Sequence, residues 1–164
     1  MIKHTERKHD LEGRRLLRKI AKGVGIDIGF GGRPITGDVI TLDKDPKYEP
    51  HIIADMKDIP VEDESFDFVI ASHILEHDDN TIDTLKEWKR ILKKGGKLGI
   101  MVPHGEFVDP TDLGDAGLTH RMLFTERTLG NYLIFVGFRE IDVVRLERPL
   151  SSLKTPVIIA FAEK

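Results

Sequence analysis

The stretch Gly25-Ile26-Asp27-Ile28-Gly29-Phe30-Gly31-Gly32-Arg33 constrains the fold more than any other part of this chain. It reads as a short buried strand running into a glycine-rich turn. Glycine lets a backbone bend sharply and come close to a ligand, because no Cβ stands in the way. A second apolar run, Asp38-Val39-Ile40-Thr41-Leu42, ends on the acidic residue Asp43. A carboxylate at that place can accept hydrogen bonds from both hydroxyls of a ribose. The pair implies an adenosine-containing ligand at the carboxyl ends of a parallel sheet.

Further strands are expected at about 52–54, 66–72, 97–102, 138–147 and 156–162. The runs Phe66–Ala71 and Leu98–Val102 are nearly continuous in apolar residues, as expected of parallel strands buried on both faces. Asn80 can cap a helix over 81–93, with Ile82, Leu85, Trp88, Ile91 and Leu92 on one side; Thr125 can cap another over 125–136. Near the N-terminus, Leu11, Leu16, Leu17 and Ile20 form a helical apolar stripe from about 10 to 21, and the basic face of that helix is read as solvated.

The connections 29–37 and 43–51 are too short for full crossover helices, which need about 10–12 residues. One sheet face is therefore expected to be thinly covered, by the N-terminal helix or by a second subunit. A homodimer follows as an expectation.

The pieces "DIGFGG", "PVEDESFDFVIASHILEH" and "RILKKGGKL" together resemble the class I S-adenosylmethionine-dependent methyltransferases, in particular the small type 11 group, over roughly 23–138. The resemblance implies an α/β Rossmann-like methyltransferase fold: a mostly parallel seven-stranded sheet with one antiparallel strand, here with reduced helices after strands 1 and 2. It departs from the family's glycine spacing, since Arg33 stands in the third glycine's place. The implied cofactor is S-adenosylmethionine. Asp27, Gly29, Phe30 and Gly31 would lie by its methionine part, Asp43 with Lys44 by the ribose, Asp55 and Met56 by the adenine, and Ser72 with His73 near the methyl group.

The long segment 103–124 carries His104, Asp109, Asp112, Asp115, His120 and Arg121 from the carboxyl end of the fifth strand. It is expected to form the acceptor side of the pocket. His73, His104 and His120 are candidate bases or acceptor ligands. His73 and His77 are four apart, but in a strand end and turn rather than a clear helix, so no metal site is assigned.

Composition narrows the remaining choices. At 164 residues the chain is expected to form one domain, with residues 1–22 as a basic helical segment. It has no cysteine, which excludes disulfides, thiolate metal sites and cysteine nucleophiles. Its net charge of −3 and the lack of an added binding domain argue against a nucleic-acid partner. No apolar run approaches the ~20 residues of a membrane span, and the N-terminus lacks a signal core, so the cytoplasm is expected. The activity expected is methyl transfer to a small-molecule or sugar-like acceptor. A non-catalytic S-adenosylmethionine-binding protein is one alternative. A nicotinamide dinucleotide oxidoreductase is another, and it needs a helix opening directly from the glycine turn to hold pyrophosphate.

Overall fold

The computed structural model describes residues 8–108, 120–147 and 156–164. Helix α1 spans Lys8–Leu17 and continues as a 3₁₀ turn, Arg18–Ile20. The strands are β1 Gly25–Ile28, β2 Ile40–Asp43, β3 Ile52–Ile53, β4 Phe66–Ser72, β5 Leu92–Pro103, β6 Arg139–Leu146 and β7 Val157–Glu163. Helix α2 covers Thr81–Ile91 and α3 covers Glu126–Val136. These strands form one sheet in the order β3-β2-β1-β4-β5-β7-β6. Strands β1 to β5 pair in parallel, and β7 runs antiparallel between β5 and β6. The seven-stranded, mostly parallel sheet expected from the sequence is thus present.

Side chains along each strand alternate between two cores, as the pleat requires. On β4, Val69 and Ala71 face one side; Phe68 and Ile70 face the other. On β7, Ile158, Ala160 and Ala162 alternate in the same way with Val157 and Ile159. The first face is packed by α2 and α3, through Leu85, Trp88, Ile91, Leu129 and Leu133. Both helices begin on the caps read from the sequence. Asn80 accepts from the Asp83 N–H at 3.3 Å, and Thr125 exchanges bonds with Thr128.

The second face is where two helices are reduced. Residues between β1 and β2 contain no helix, and between β2 and β3 there is a single 3₁₀ turn, Pro46–Tyr48. The cover comes instead from Leu17 on α1 and from Ile35 and Val39 on the connection itself, all buried against Phe68, Ile70, Met101 and Ile159. Two arginines of the N-terminal segment hold that connection in place. Arg14 donates to the carbonyls of Arg33 and Pro34 at 2.7 and 2.8 Å, and Arg18 Nε donates to the Ile35 carbonyl at 2.7 Å. These two side chains are therefore not simply solvated, as their helical spacing suggested.

One boundary also differs. The helix expected to reach Lys93 stops at Ile91, and β5 starts at Leu92 rather than Lys97. Leu92 is buried and pairs with Phe66. The register then shifts before Lys97 pairs with Phe68, and Gly95 within the shift has a φ of 75°. The strand is thus continuous through a stretch that reads as a turn in sequence.

Candidate active site

The order of the sheet reverses between β1 and β4, and ligands of open α/β sheets bind beyond the carboxyl ends of the strands at such a point. A cavity of about 360 Å³ lies there. Its wall includes Gly29, Gly31, Asp43, Lys44, Asp55, Met56 and His73, all anticipated from the sequence. Asp27, Phe30, Ser72, His104 and His120 were also anticipated but do not line it. A second cleft, of about 390 Å³, sits at the opposite edge, where Lys19, Lys22, Lys93, Lys94 and Lys97 surround Asp67. It lies at the amino ends of the strands, the wrong side for substrate in this architecture.

The glycine turn is shaped by two requirements. Gly29 has a φ of 67°, and a Cβ there would come within 2.6 Å of Ile74. Gly31 has a φ of 56° and would point a Cβ into open space beside the cavity. The Gly29 N–H donates to the Leu42 carbonyl at 2.8 Å, which ties the turn to the end of β2. Asp43, next in the chain, accepts from Gly31 N–H at 3.2 Å and from Asp45 N–H at 3.0 Å. Each carboxylate oxygen has room for two donors, so both keep an acceptor position for ligand hydroxyls.

Asp55 caps its own turn, accepting from Lys57 N–H at 2.9 Å. The neighbouring Met56 is fixed from below, because the buried Trp88 donates its indole N–H to the Met56 carbonyl at 3.0 Å. His73 ends β4 with a φ of 55°, a conformation rare for a residue with a side chain. Such strain collects at functional sites.

Asp27 has another place. It is 1% exposed and accepts from the Ile35 N–H at 2.6 Å, so it organises the connection after β1 from inside. Burial pushes its carboxyl up to about 7, against the opposing effects of that hydrogen bond and of the Arg14 charge. His104 is buried as well. Its Nε2 lies 2.9 Å from Glu126 and its Nδ1 accepts from Glu106 N–H. The backbone N–H of Glu126 holds its own carboxyl below the usual range despite partial burial, and His104 adds to the effect.

The family comparison places the chain. A family model described as "Methyltransferase domain" matches residues 14–100, from α1 into β5. The chain belongs to this family.

Solved structures agree on the fold of this chain. A Thermotoga maritima S-adenosylmethionine-dependent methyltransferase, described as a possible histamine N-methyltransferase, superposes with a TM-score of 0.76 at 22% identity, over 94% of this chain and 89% of that one. An Archaeoglobus fulgidus methyltransferase gives 0.69 at 18%, over 96% and 95%. The Burkholderia thailandensis 1,6-didemethyltoxoflavin-N1-methyltransferase, solved with its acceptor and S-adenosylhomocysteine, gives 0.72 at 18%, over 93% and 76%. An uncharacterized protein of Methanocaldococcus jannaschii is 37% identical over 94 residues, which are 51% of this chain and 46% of that protein. The chain thus spans about half the length of that curated relative.

The dinucleotide alternative lacks its seat, since no helix opens from the glycine turn of the methyltransferase. Sequence reasoning also missed part of the wall. Tyr48 and His77 line the cavity, and Tyr48 stands edge-on to Phe30 with ring centroids 6.4 Å apart. A lone aromatic in the polar stretch after Asp43 was the available signal for Tyr48. Of the expected acceptor loop, Asp109, Asp112 and Asp115 lie outside the described residues.

Proposed function

We propose that this methyltransferase transfers a methyl group from S-adenosylmethionine to a small-molecule or sugar-like acceptor held beside His73. The observation that carries the proposal is the joint placement of Asp43, Asp55 and the Gly29–Gly31 turn on one cavity at the switch point of the sheet. Its volume of about 360 Å³ falls in the range of small-molecule sites, about 300–1,000 Å³. The description of the Thermotoga protein as a possible histamine N-methyltransferase, and the 1,6-didemethyltoxoflavin bound to the Burkholderia enzyme, support a small acceptor.

When bound, the cofactor supplies a methyl group already activated on a sulfonium. The residues of this chain have the task of holding and aligning. Asp43 accepts from the ribose hydroxyls, with Lys44 beside it. Asp55 and the Met56 backbone hold the adenine, on a segment fixed by Trp88. The turn from Gly29 to Gly31 leaves space for the methionine part. His73, on the cavity wall at the end of β4, is the group positioned to take a proton from an acceptor that carries one. His104 is better suited to fixing the start of α3, given its Glu126 contact.

The test is calorimetry with S-adenosylhomocysteine, followed by turnover of labelled S-adenosylmethionine against a panel of small acceptors. Binding in the micromolar range, about −8 kcal/mol, is expected. A folded protein that binds nothing at millimolar ligand would overturn the proposal.

For assembly, we keep the homodimer but move its contact. Among the described residues, the first three strands and their flanks expose only Val24 and Ile53 as large apolar side chains, whereas α3 exposes Ile134 and Phe135 side by side. A two-fold pairing through α3 is the form these exposures support. Light scattering decides it; a single 18.6 kDa species at all concentrations excludes the dimer. No helix among the described residues is long and apolar enough to cross a membrane.

A further inference from the structure

Next to the cavity, three side chains converge, each with one buried polar atom that has no hydrogen-bond partner among the described residues. They are Glu76 and His77, on the 3₁₀ turn Leu75–His77 that follows β4, and His120, which returns from far along the chain. The ligand atoms of the three lie within 4.8 Å of one another. Glu76 is 2% exposed, and its Oε2 has no donor; Nδ1 of His77 and Nδ1 of His120 are likewise buried and unmatched. The two imidazole rings sit 5.1 Å apart, tilted by 47°. His120 is kept there by backbone, because the N–H groups of Arg121 and Met122 both donate to the Glu76 carbonyl, at 2.8 and 3.1 Å.

A buried polar atom without a partner is costly, and native structures carry few of them. A cation bound by these three residues would give such atoms a partner. Two imidazoles and a carboxylate suit the first-row divalent metals, zinc and ferrous iron among them, and leave coordination positions open. Ligand atoms around such an ion stand about 3–3.5 Å apart, so small side-chain rotations close the set. The charged neighbours do not preclude this. His73 Nδ1 approaches the other Glu76 oxygen at 3.4 Å, while Lys57 and Arg121 are engaged by Asp78 and Asp79.

We propose that Glu76, His77 and His120 form a binding site for a divalent transition-metal ion on the wall of the methyltransferase cavity. One consequence rests on the methyl-transfer reading. Since His77 lines the cavity, the open coordination positions face it and would take an oxygen or nitrogen of the acceptor, which widens the acceptor class to metal-chelating small molecules. The sequence alone suggested only the His73–His77 spacing. The structure instead pairs His77 with His120.

The full chain, stripped with a chelator, is titrated with Co²⁺ followed by visible absorption, and with Zn²⁺ in competition. One equivalent should bind with micromolar or tighter affinity. Glu76→Gln, which keeps the side-chain shape, and His120→Ala should each weaken Co²⁺ binding at least tenfold. Binding of S-adenosylhomocysteine is measured separately on the same proteins without metal. It shows that each variant is folded, and its own failure in the wild type would touch the cofactor reading alone. The metal proposal is overturned if the wild type binds no Co²⁺ or Zn²⁺ at millimolar metal. It is equally overturned if Glu76→Gln or His120→Ala binds as tightly as the wild type; should one variant fail to fold, the other decides.

Discussion

The two faces of the sheet are covered by different physics. One carries α2 and α3, and its core is hydrocarbon packed around Trp88, which is fully buried. The other carries α1 and a helix-free connection, and its smaller core is supplemented by polar clamps: Arg14 and Arg18 on three carbonyls, and buried Asp27 on the Ile35 N–H. The connection so clamped also carries the glycine turn that lines the cavity at the switch point. Where a crossover helix is absent, charged side chains from a sequence-distant helix fix the loop. The fold on this side therefore depends on hydrogen-bond geometry more than on buried area.

The contrast predicts global failure from damage on the helical face and local failure from damage on the clamped face. The largest effect is expected for Trp88→Ala. It removes a fully buried indole and the anchor of Met56, so urea unfolding should show a loss of about 3–5 kcal/mol. A loss below about 1 kcal/mol would break the distinction between the faces.

Next is the pH dependence set by Asp27. Its carboxyl is raised to about 7 in the folded protein, chiefly by burial, from 3.8. The folded state then holds a proton that the unfolded chain releases. Stability from this group is full below 3.8 and is lost as pH rises through about 7, by up to about 4 kcal/mol. Denaturation curves from pH 4 to pH 8 should show this fall on top of the other titrations, and Asp27→Asn should reduce it. An unchanged slope in Asp27→Asn would mean that Asp27 stays charged beside Arg14.

Third, Asp43→Ala should weaken S-adenosylhomocysteine binding by about 1.5–3 kcal/mol and cost less in unfolding, where the half-buried carboxylate gives up its bonds from the Gly31 and Asp45 N–H groups and water can replace it. Equal losses in binding and stability would reassign Asp43 to the turn. The smallest effect sharpens the contrast most. Arg18→Met keeps the aliphatic stem and removes the bond to the Ile35 carbonyl, at about 1 kcal/mol. Hydrogen exchange should quicken across 29–37 and stay slow in β4 and β5. Uniform quickening would show that the clamp belongs to the global core.

What the sequence revealed follows from how local each cause is. Strand β4 and the caps at Asn80 and Thr125 were legible because a buried parallel strand and a helix start are written in adjacent residues. Asp43, Asp55, Gly29 and Gly31 line one cavity, as their places at the strand ends led the sequence to suggest. The arginine clamp was not, because Arg14 and Arg18 sit where a solvated helix face is equally natural, and their carbonyl partners have no sequence signature. Nor could sequence separate His104 from His120. Both follow β5, but the first turns inward to Glu126 and the second returns beside His77. That difference is made by the Gly105 N–H bonding to the Phe124 carbonyl and by the backbone bonds to Glu76, which are long-range contacts.

The seating of α1 has a consequence for the order of events during synthesis. Leu17 packs with Met101 of β5 and with Ile159 of β7, the strand inserted between β5 and β6. The helix leaves the ribosome before the strands, but half of its berth is made only when β7 has emerged. Until then Arg14 and Arg18 have no fixed platform from which to reach the 33–35 carbonyls. A ribosome-bound chain halted before β7 should therefore hold β1 to β5 and still fail to retain S-adenosylhomocysteine, acquiring the cofactor only when its distal strand slots home.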